Sequence, residues 1–399
     1  MENRPVVIVG SGPAGTAAAL SLHRHAPELA RDIVVLDKAR HPRPKVCAGG
    51  VIPAGRTWLE EHDVAFDMPH VAVHRALART PGATVEYGEP NFCYVVRRNE
   101  FDAALASACR ERGIEIREDE PVRRLAREAG GVVVETDRGR YRTPLVIGAD
   151  GSGSTVRRQL VDGGRGDTVA RAAMCDVPIA VGGWDGFSAR RYEFDFSDVP
   201  RGLAGYRWSF PCLIDGAPHA NVGVFSLTRG AALIKEAMAA ELARHGAERA
   251  RHVAFPIRWY RRGVTRVSAD NVLLAGDAAG ADPLMGEGIS LALEYGSYAA
   301  AAAIEAVRRG DYSGAGYQRQ IDASWLGIKL GRLHATARWF YSRYWRLCFA
   351  LPERSVRLRT LGLRWYNGID DWDRRSVFAA ARALVQPGFT APRVGDGGS

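Results

Sequence analysis

Short runs of β-branched residues punctuate the chain, and each stops on a glycine or an aspartate. Val6-Val7-Ile8-Val9 stops at Gly10, and Ile33-Val34-Val35-Leu36 stops at Asp37. Leu145-Val146-Ile147 leads into Gly148-Ala149-Asp150, and Asn271-Val272-Leu273-Leu274 into Ala275-Gly276-Asp277. Continuous apolar runs this short predict strands buried on both faces, as in a parallel sheet. Alanine-rich stretches at 13–25 and 289–307 predict buried helices. From about 166 to 264 the pattern changes. Arg190 to Phe196, Tyr206 to Phe210 and Ala220 to Leu227 are strand-like runs between Gly/Pro turns, with a helix near Ala231 to His245. That segment predicts a mostly antiparallel sheet. Beyond Tyr312 the pattern is helical, and Phe340, Tyr344, Leu347, Cys348 and Leu351 recur at one helical face.

The pattern as a whole predicts an α/β chain (α+β overall): a Rossmann-type domain, an inserted mostly antiparallel sheet and C-terminal helices. The expected division is a discontinuous first domain at 1–165 and 265–310, a sheet domain at 166–264, a helical region at 311–390 and a tail at 391–399. With 399 residues the chain is too long for one core and suits this division.

Composition changes the picture in three places. Cys47, Cys93, Cys109, Cys175, Cys212 and Cys348 show no metal-ligand spacing, so reduced thiols and a cytoplasmic setting are expected. The start of the chain runs directly into a strand and reads as carrying no export signal, and no stretch is apolar enough to span a bilayer. The net charge of +9 is carried largely by arginines. No nucleic-acid-binding signature accompanies it, which points to an anionic cofactor and to contact with an anionic membrane surface. Arg338, Arg343, Arg346, Arg354, Arg357, Arg359 and Arg364 lie in or beyond the C-terminal apolar stripe, with Trp339, Trp345 and Trp365 among them. Two readings of that region stand: a membrane-surface helix, or a helix packed on the first domain with a solvated basic face.

The chemistry begins at Gly10, Gly12 and Gly15, which complete G-x-G-x-x-G between a strand and a helix. Gly10 permits the tight turn, Gly12 allows backbone to approach a pyrophosphate, and Gly15 lets helix pack on strand. The helix N-terminus, at Pro13 and Ala14, presents its partial positive charge to the phosphates. Asp37, 22 residues past Gly15, ends the second strand where an acid would accept ribose hydroxyls. Asp150 and Asp277 end two later strands and suit a ribityl chain. Gly286, Gly288 and Ile289 open the long helix and suit a flavin ring, whose reduced anion the helix dipole favours.

This set resembles the para-hydroxybenzoate hydroxylase-like flavoproteins, which include aromatic hydroxylases, flavin halogenases and geranylgeranyl reductases. The resemblance rests on Gly10/Gly12/Gly15, Asp37, the R-x-x-F-D element from Arg98 to Asp102, Asp150-Gly151 and Gly276-Asp277, and covers roughly residues 5 to 310. It implies FAD as cofactor, contact of Arg98 with phosphate or ribityl oxygens, a cofactor-lining place for Val122, and a nicotinamide donor bound without a second Rossmann domain.

Two segments are similar to the geranylgeranyl reductase branch. Pro44-Lys45-Val46-Cys47-Ala48-Gly49-Gly50 matches a loop lying against the flavin, which brings in Lys45, Cys47 and Ala48. Tyr206-Arg207-Trp208-Ser209-Phe210-Pro211 matches an element whose alternate aromatics line an isoprenoid channel. Period-two spacing puts Tyr206, Trp208 and Phe210 on one strand face, where spacing by itself also suits plain sheet core. Asn221-Val222-Gly223 is a displaced version of the G-x-G that usually follows. Three functions are open. The first is reduction of isoprenoid double bonds, with Cys47 or ordered water, and less readily Tyr206, as proton donor. The second is NAD(P)H-dependent oxygenation of an aromatic or prenylated aromatic compound. The third is an FAD-holding lipid-binding protein without turnover.

Overall fold

The computed structural model describes residues 1–161, 168–179, 183–227 and 230–369. The tail at 391–399 and the end of the helical region at 370–390 lie outside the described residues. Three sheets organise the rest. The first has six strands, in the order Ser268–Ala269, Val272–Leu274, Val146–Gly148, Val7–Val9, Val34–Leu36 and Glu115–Arg117. All its pairs are parallel except that of Ser268–Ala269 with Val272–Leu274. The four apolar runs of the sequence are its centre, and every residue of these four strands is buried, in one core with helices Pro13–His25 and Ile289–Arg309 and with Leu125, Val132, Val134 and Tyr141.

Register brings the motifs together. Val9 pairs with both Leu36 and Gly148, and Gly148 with Leu274. The four strands therefore end in one row, and the next residues of each form one rim: Gly10, Asp37, Asp150, and Gly276-Asp277. Ligands of open α/β sheets collect at such carboxyl ends. Helix Pro13–His25 leaves this rim tightly packed, since a Cβ on Gly15 would lie 1.8 Å from the Gly10 carbonyl oxygen. Arg157, almost wholly buried, fixes the far side: Nε donates to the Ala278 carbonyl at 2.6 Å and Nη2 to that of Arg266 at 2.8 Å.

The second sheet has eight strands, in the order Val253–Arg258, Val169–Pro178, Ala217–Ser226, Gly205–Ile214, Arg191–Asp195, His70–Arg79, Thr84–Val96 and Gly50–Val51. Three of these come from the 50–96 stretch, which the sequence pattern groups with the first domain. They join through a parallel pairing of His70–Arg79 with Arg191–Asp195, a long-range contact invisible to local periodicity. A four-stranded sheet at Glu2–Asn3, Arg140–Thr143, Gly131–Thr136 and Val122–Glu128 completes the strands.

The eight-stranded sheet is buried on both faces over the first eight residues of strand Gly205–Ile214. Tyr206, Trp208 and Phe210 face an aromatic cluster. On the other face, Arg207 pairs with Asp195 at 2.9 Å, and the Ser209 hydroxyl donates to Glu241 at 2.5 Å. The same ion network holds Glu193. Burial alone would raise its carboxyl, but Arg79, Arg191 and Trp184 outweigh burial and pull the pKa down to about 2. A carboxylate depressed in the fold contributes stability above its ordinary value of 4.5, and loses that contribution as pH falls through the folded value. Urea midpoints are therefore expected to drop between pH 4.5 and about 2. In Glu193→Gln that segment of the profile should be shallower; an unchanged slope would remove Glu193 from the account.

The C-terminal region departs from its sequence pattern. Instead of one helix with Phe340 to Leu351 on one face, the chain forms helices Trp325–Phe340, Trp345–Arg354 and Val356–Tyr366. Phe340 and Phe349 enter the same aromatic cluster, with ring centroids 4.3 Å apart. The turn between them is closed by Ser342, whose Oγ accepts from Tyr344 N at 3.1 Å. Leu347 and Leu351, expected on the packed stripe, point away from it and are 69% and 62% exposed. The helix at 345–354 rests on the eight-stranded sheet's aromatic residues rather than on the first domain.

Candidate functional site

A cavity of about 690 Å³ runs from the strand-end rim to the aromatic cluster. Every residue expected from sequence to hold cofactor or substrate lines it except Gly15: Gly10, Gly12, Ala14, Asp37, Lys45, Cys47, Ala48, Arg98, Val122, Asp150, Tyr206, Trp208, Phe210, Gly276, Asp277, Gly286, Gly288 and Ile289. Gly15 stands behind the wall, packed on Gly10.

The rim half is polar. Asp37 Oδ2 accepts from Ser11 N at 2.8 Å and from Ser11 Oγ at 2.7 Å, and Oδ1 accepts from Ala39 N at 2.9 Å. Burial alone would raise this carboxyl, but Arg43 and those hydrogen bonds hold it below the usual range. Arg43 Nη2 lies 3.8 Å from Asp37 and 3.4 Å from Asp102. Arg98 forms a two-pronged pair with Asp102, Nε to Oδ1 at 2.7 Å and Nη2 to Oδ2 at 2.9 Å. Burial opposes the Arg98 charge; Asp102 outweighs it, with Cys47 a further partner. The arginine of the R-x-x-F-D element thus anchors its own helix as well as lining the cavity.

The two other strand-end acids divide their work. Asp150 caps helix Thr155–Leu160: it accepts from Ser154 Oγ at 2.5 Å, Thr155 N at 2.6 Å and Val156 N at 3.2 Å, and burial raises its carboxyl. Asp277 accepts from Ser152 Oγ at 3.1 Å. Its Oδ1 lies 3.3 Å from where a Cβ on Gly288 would stand, so it is placed to meet a ligand at the start of helix Ile289–Arg309. Helix Pro13–His25 has no side-chain cap at its N-terminus, so its first-turn N–H groups are available to a ligand, as an anionic dinucleotide requires. At the start of Ile289–Arg309 the Glu287 carboxylate already accepts from Ser290 N at 2.8 Å.

The other half is aromatic. Phe210 stacks on Tyr192 at 4.8 Å, Tyr206 lies 5.2 Å from Phe194 and 5.6 Å from Phe225, and Trp208 Nε1 donates to Asn221 Oδ1 at 2.8 Å. The Tyr206 hydroxyl donates to the Met285 carbonyl, and burial raises its pKa. Its proton is therefore engaged in tethering the loop before Gly286. Cys47 sits in the loop that lines the cavity between these halves, its sulfur positioned by the Gly49 N–H at 3.4 Å.

Several lining residues escaped the sequence reading. Arg43 lies in a Pro-flanked loop with no periodic signal, and its buried Nε finds no partner. Tyr366 and Asn367 arrive from the C-terminal helices. Tyr366 donates to Asp282 at 2.9 Å; Asn367 is fully buried, with both amide atoms unpartnered. The uncapped start of Pro13–His25, the space at Gly12, and the orphaned polar atoms of Arg43 and Asn367 suit a bound FAD.

Comparisons with known proteins agree. The model of the FAD binding domain family matches residues 3–316. Digeranylgeranylglycerophospholipid reductase 1 of Methanopyrus kandleri is 32% identical over 337 residues, 79% of this chain and 84% of that protein. The menaquinone reductase of Mycolicibacterium smegmatis is 30% identical over 315 residues, 74% of this chain and 75% of its own length. In shape, the chain is similar to a geranylgeranyl bacteriochlorophyll reductase-like protein from Thermoplasma acidophilum, with a TM-score of 0.69 and 22% identity over 84% of this chain and 88% of that one.

Proposed function

We propose that this chain, which belongs to the FAD-binding-domain family of flavoproteins on its geranylgeranyl reductase branch, reduces carbon–carbon double bonds of an isoprenoid or prenylated substrate. The observation that carries this reading is the continuity of one cavity from the dinucleotide rim to the aromatic wall, with Cys47 lining it between them. The reductase names of the relatives point the same way. When bound, FAD supplies hydride and is recharged by NAD(P)H or another donor.

The protein's own residues do the rest. Tyr206, Trp208, Phe210 and Phe225 give a rigid apolar surface against which a polyprenyl chain lies extended. That fixes the double bond and excludes water, and orientation of this kind is where much of the rate comes from. An isolated alkene accepts hydride poorly, so a proton must arrive at the neighbouring carbon. Of the two side-chain candidates for donor, Cys47 Sγ is the better placed, since Tyr206 is committed to Met285.

The test is an anaerobic single turnover. Pre-reduced protein is mixed with a geranylgeranylated glycerolipid or with menaquinone, without oxygen and in a parallel arm under labelled O2; any quinol is reoxidised to quinone before the product is weighed by mass spectrometry, so that the gain reports side-chain double bonds alone. Gain of two hydrogens without oxygen is the expected result. Product carrying oxygen label from O2 in the aerobic arm, or no product from either substrate class, would overturn the reading in favour of oxygenation or of binding without turnover.

A further inference from the structure

Eight large apolar side chains are markedly exposed among the described residues, and five of them fall between 339 and 356: Trp339, Tyr344, Leu347, Leu351 and Val356. They gather where helix Trp325–Phe340 turns into helix Trp345–Arg354. The inner side of the second helix is satisfied by Phe349, buried against Phe196 and Phe340. Its outer side carries Leu347 and Leu351, one turn apart and 69% and 62% exposed among the described residues. Exposed apolar patches of this kind mark a surface made for another phase or partner.

Charge says which. Arg338, Arg343, Arg346 and Arg354 are exposed on the same corner. The sole acid from 336 to 360 is Glu353, and it is turned inward to Thr80. Arg343 lies over the Tyr344 ring at 4.9 Å and Arg346 over Trp345 at 5.3 Å. Arginines, interfacial aromatics and paired leucines on a single outer face match the charge and polarity of an anionic lipid surface. We propose that this corner is a docking surface for an anionic phospholipid bilayer.

Its position deepens the reductase reading, on which this part rests. Phe349 contacts Phe196 at 5.5 Å, and Phe196 contacts Tyr206, a cavity residue, at 5.5 Å. Two ring contacts thus separate the docked helix from the wall that would hold a prenyl chain.

The experiment uses the full-length flavin-loaded protein and sucrose-loaded vesicles, either pure phosphatidylcholine or an equal mixture with phosphatidylglycerol. The wild type should sediment with the mixed vesicles and remain in solution with the neutral ones. The variant L347E/L351E should bind at least about 100-fold more weakly, the scale of losing two buried leucines. R343E/R346E should lose the preference for phosphatidylglycerol. Both variants should keep wild-type flavin content, which separates lost docking from lost fold. A wild type that ignores mixed vesicles would overturn the proposal. So would variants that bind as the wild type does, or a self-associated wild type split by L347E/L351E, which would make a second copy the occupant. Sedimentation needs no turnover, so docking and reductase activity fail independently.

Discussion

Gly12→Val protein is expected to purify folded and colourless. A Cβ added at Gly12 would meet nothing closer than Arg43 Nη2 at 3.5 Å, so the fold accommodates it. What it occupies is the approach of a pyrophosphate to the first turn of Pro13–His25, a helix start with no side-chain cap. A branched side chain there holds the ligand off the N–H groups. FAD affinity should fall at least about 100-fold, or about 3 kcal/mol. The readout is flavin absorbance per protein chain, with circular dichroism as the check on folding. A yellow, fully loaded variant would remove Gly12 from the cofactor site. Gly15→Val is the contrasting case. Its Cβ would lie 1.8 Å from the Gly10 carbonyl oxygen, so strand and helix must separate, and the loss should appear as unfolded protein.

The second large effect is expected at Arg98. Asp102 is fully buried, and Arg98 holds both its oxygens. Arg98→Met leaves that carboxylate without its two-pronged partner, a situation that costs about 3–5 kcal/mol. Arg43, 3.4 Å from Asp102, offers a second cation and moves the expectation to the lower end of that range. Urea denaturation should report the loss, and R98M/D102L should regain part of it, because removing both charges is far milder than stranding one. Stability equal to the wild type in the single variant would contradict the pairing. If Arg98 also contacts the cofactor, R98M/D102L will fold yet hold flavin weakly; full flavin occupancy in that double variant would confine Arg98 to its helix.

The cofactor half of the site was legible in sequence because its signals are local. Each motif is a strand end followed by a glycine or an acid, and the steric demand at Gly10 or Gly15 is met within one turn of chain. Asp37 could be placed by counting from Gly15. What local reading missed is the company these residues keep: Ser11 and Arg43 on Asp37, Asp102 on Arg98, and Ser154 drawing Asp150 into a helix cap. Arg43 lies in a loop, where periodicity carries no information; Asp102 and Ser154 are only four residues from their partners, but spacing does not say whether such a pair is buried and made.

The substrate half was legible as a pattern and ambiguous as a place. Alternation put Tyr206, Trp208 and Phe210 on one face, but the same spacing suits a sheet core. Only the pairing of His70–Arg79 with Arg191–Asp195, and the return of Tyr366 and Asn367 from the C-terminal helices, shows that this face borders the cofactor cavity. The C-terminal stripe was misassigned for a related reason. Helical periodicity assumes an unbroken helix, and the turn at Tyr341–Tyr344 resets the phase, which buries Phe349 and exposes Leu347 and Leu351.

By itself, the sequence determined that this chain builds a Rossmann-type FAD-binding domain, because steric and electrostatic requirements for a dinucleotide act over a few neighbouring residues. The tertiary structure decided which aromatic face meets that site, which acid caps a helix and which stays open to a ligand, and which side of the last helices looks outward. Those choices depend on contacts between segments hundreds of residues apart, and such contacts are settled only when the whole core packs at once.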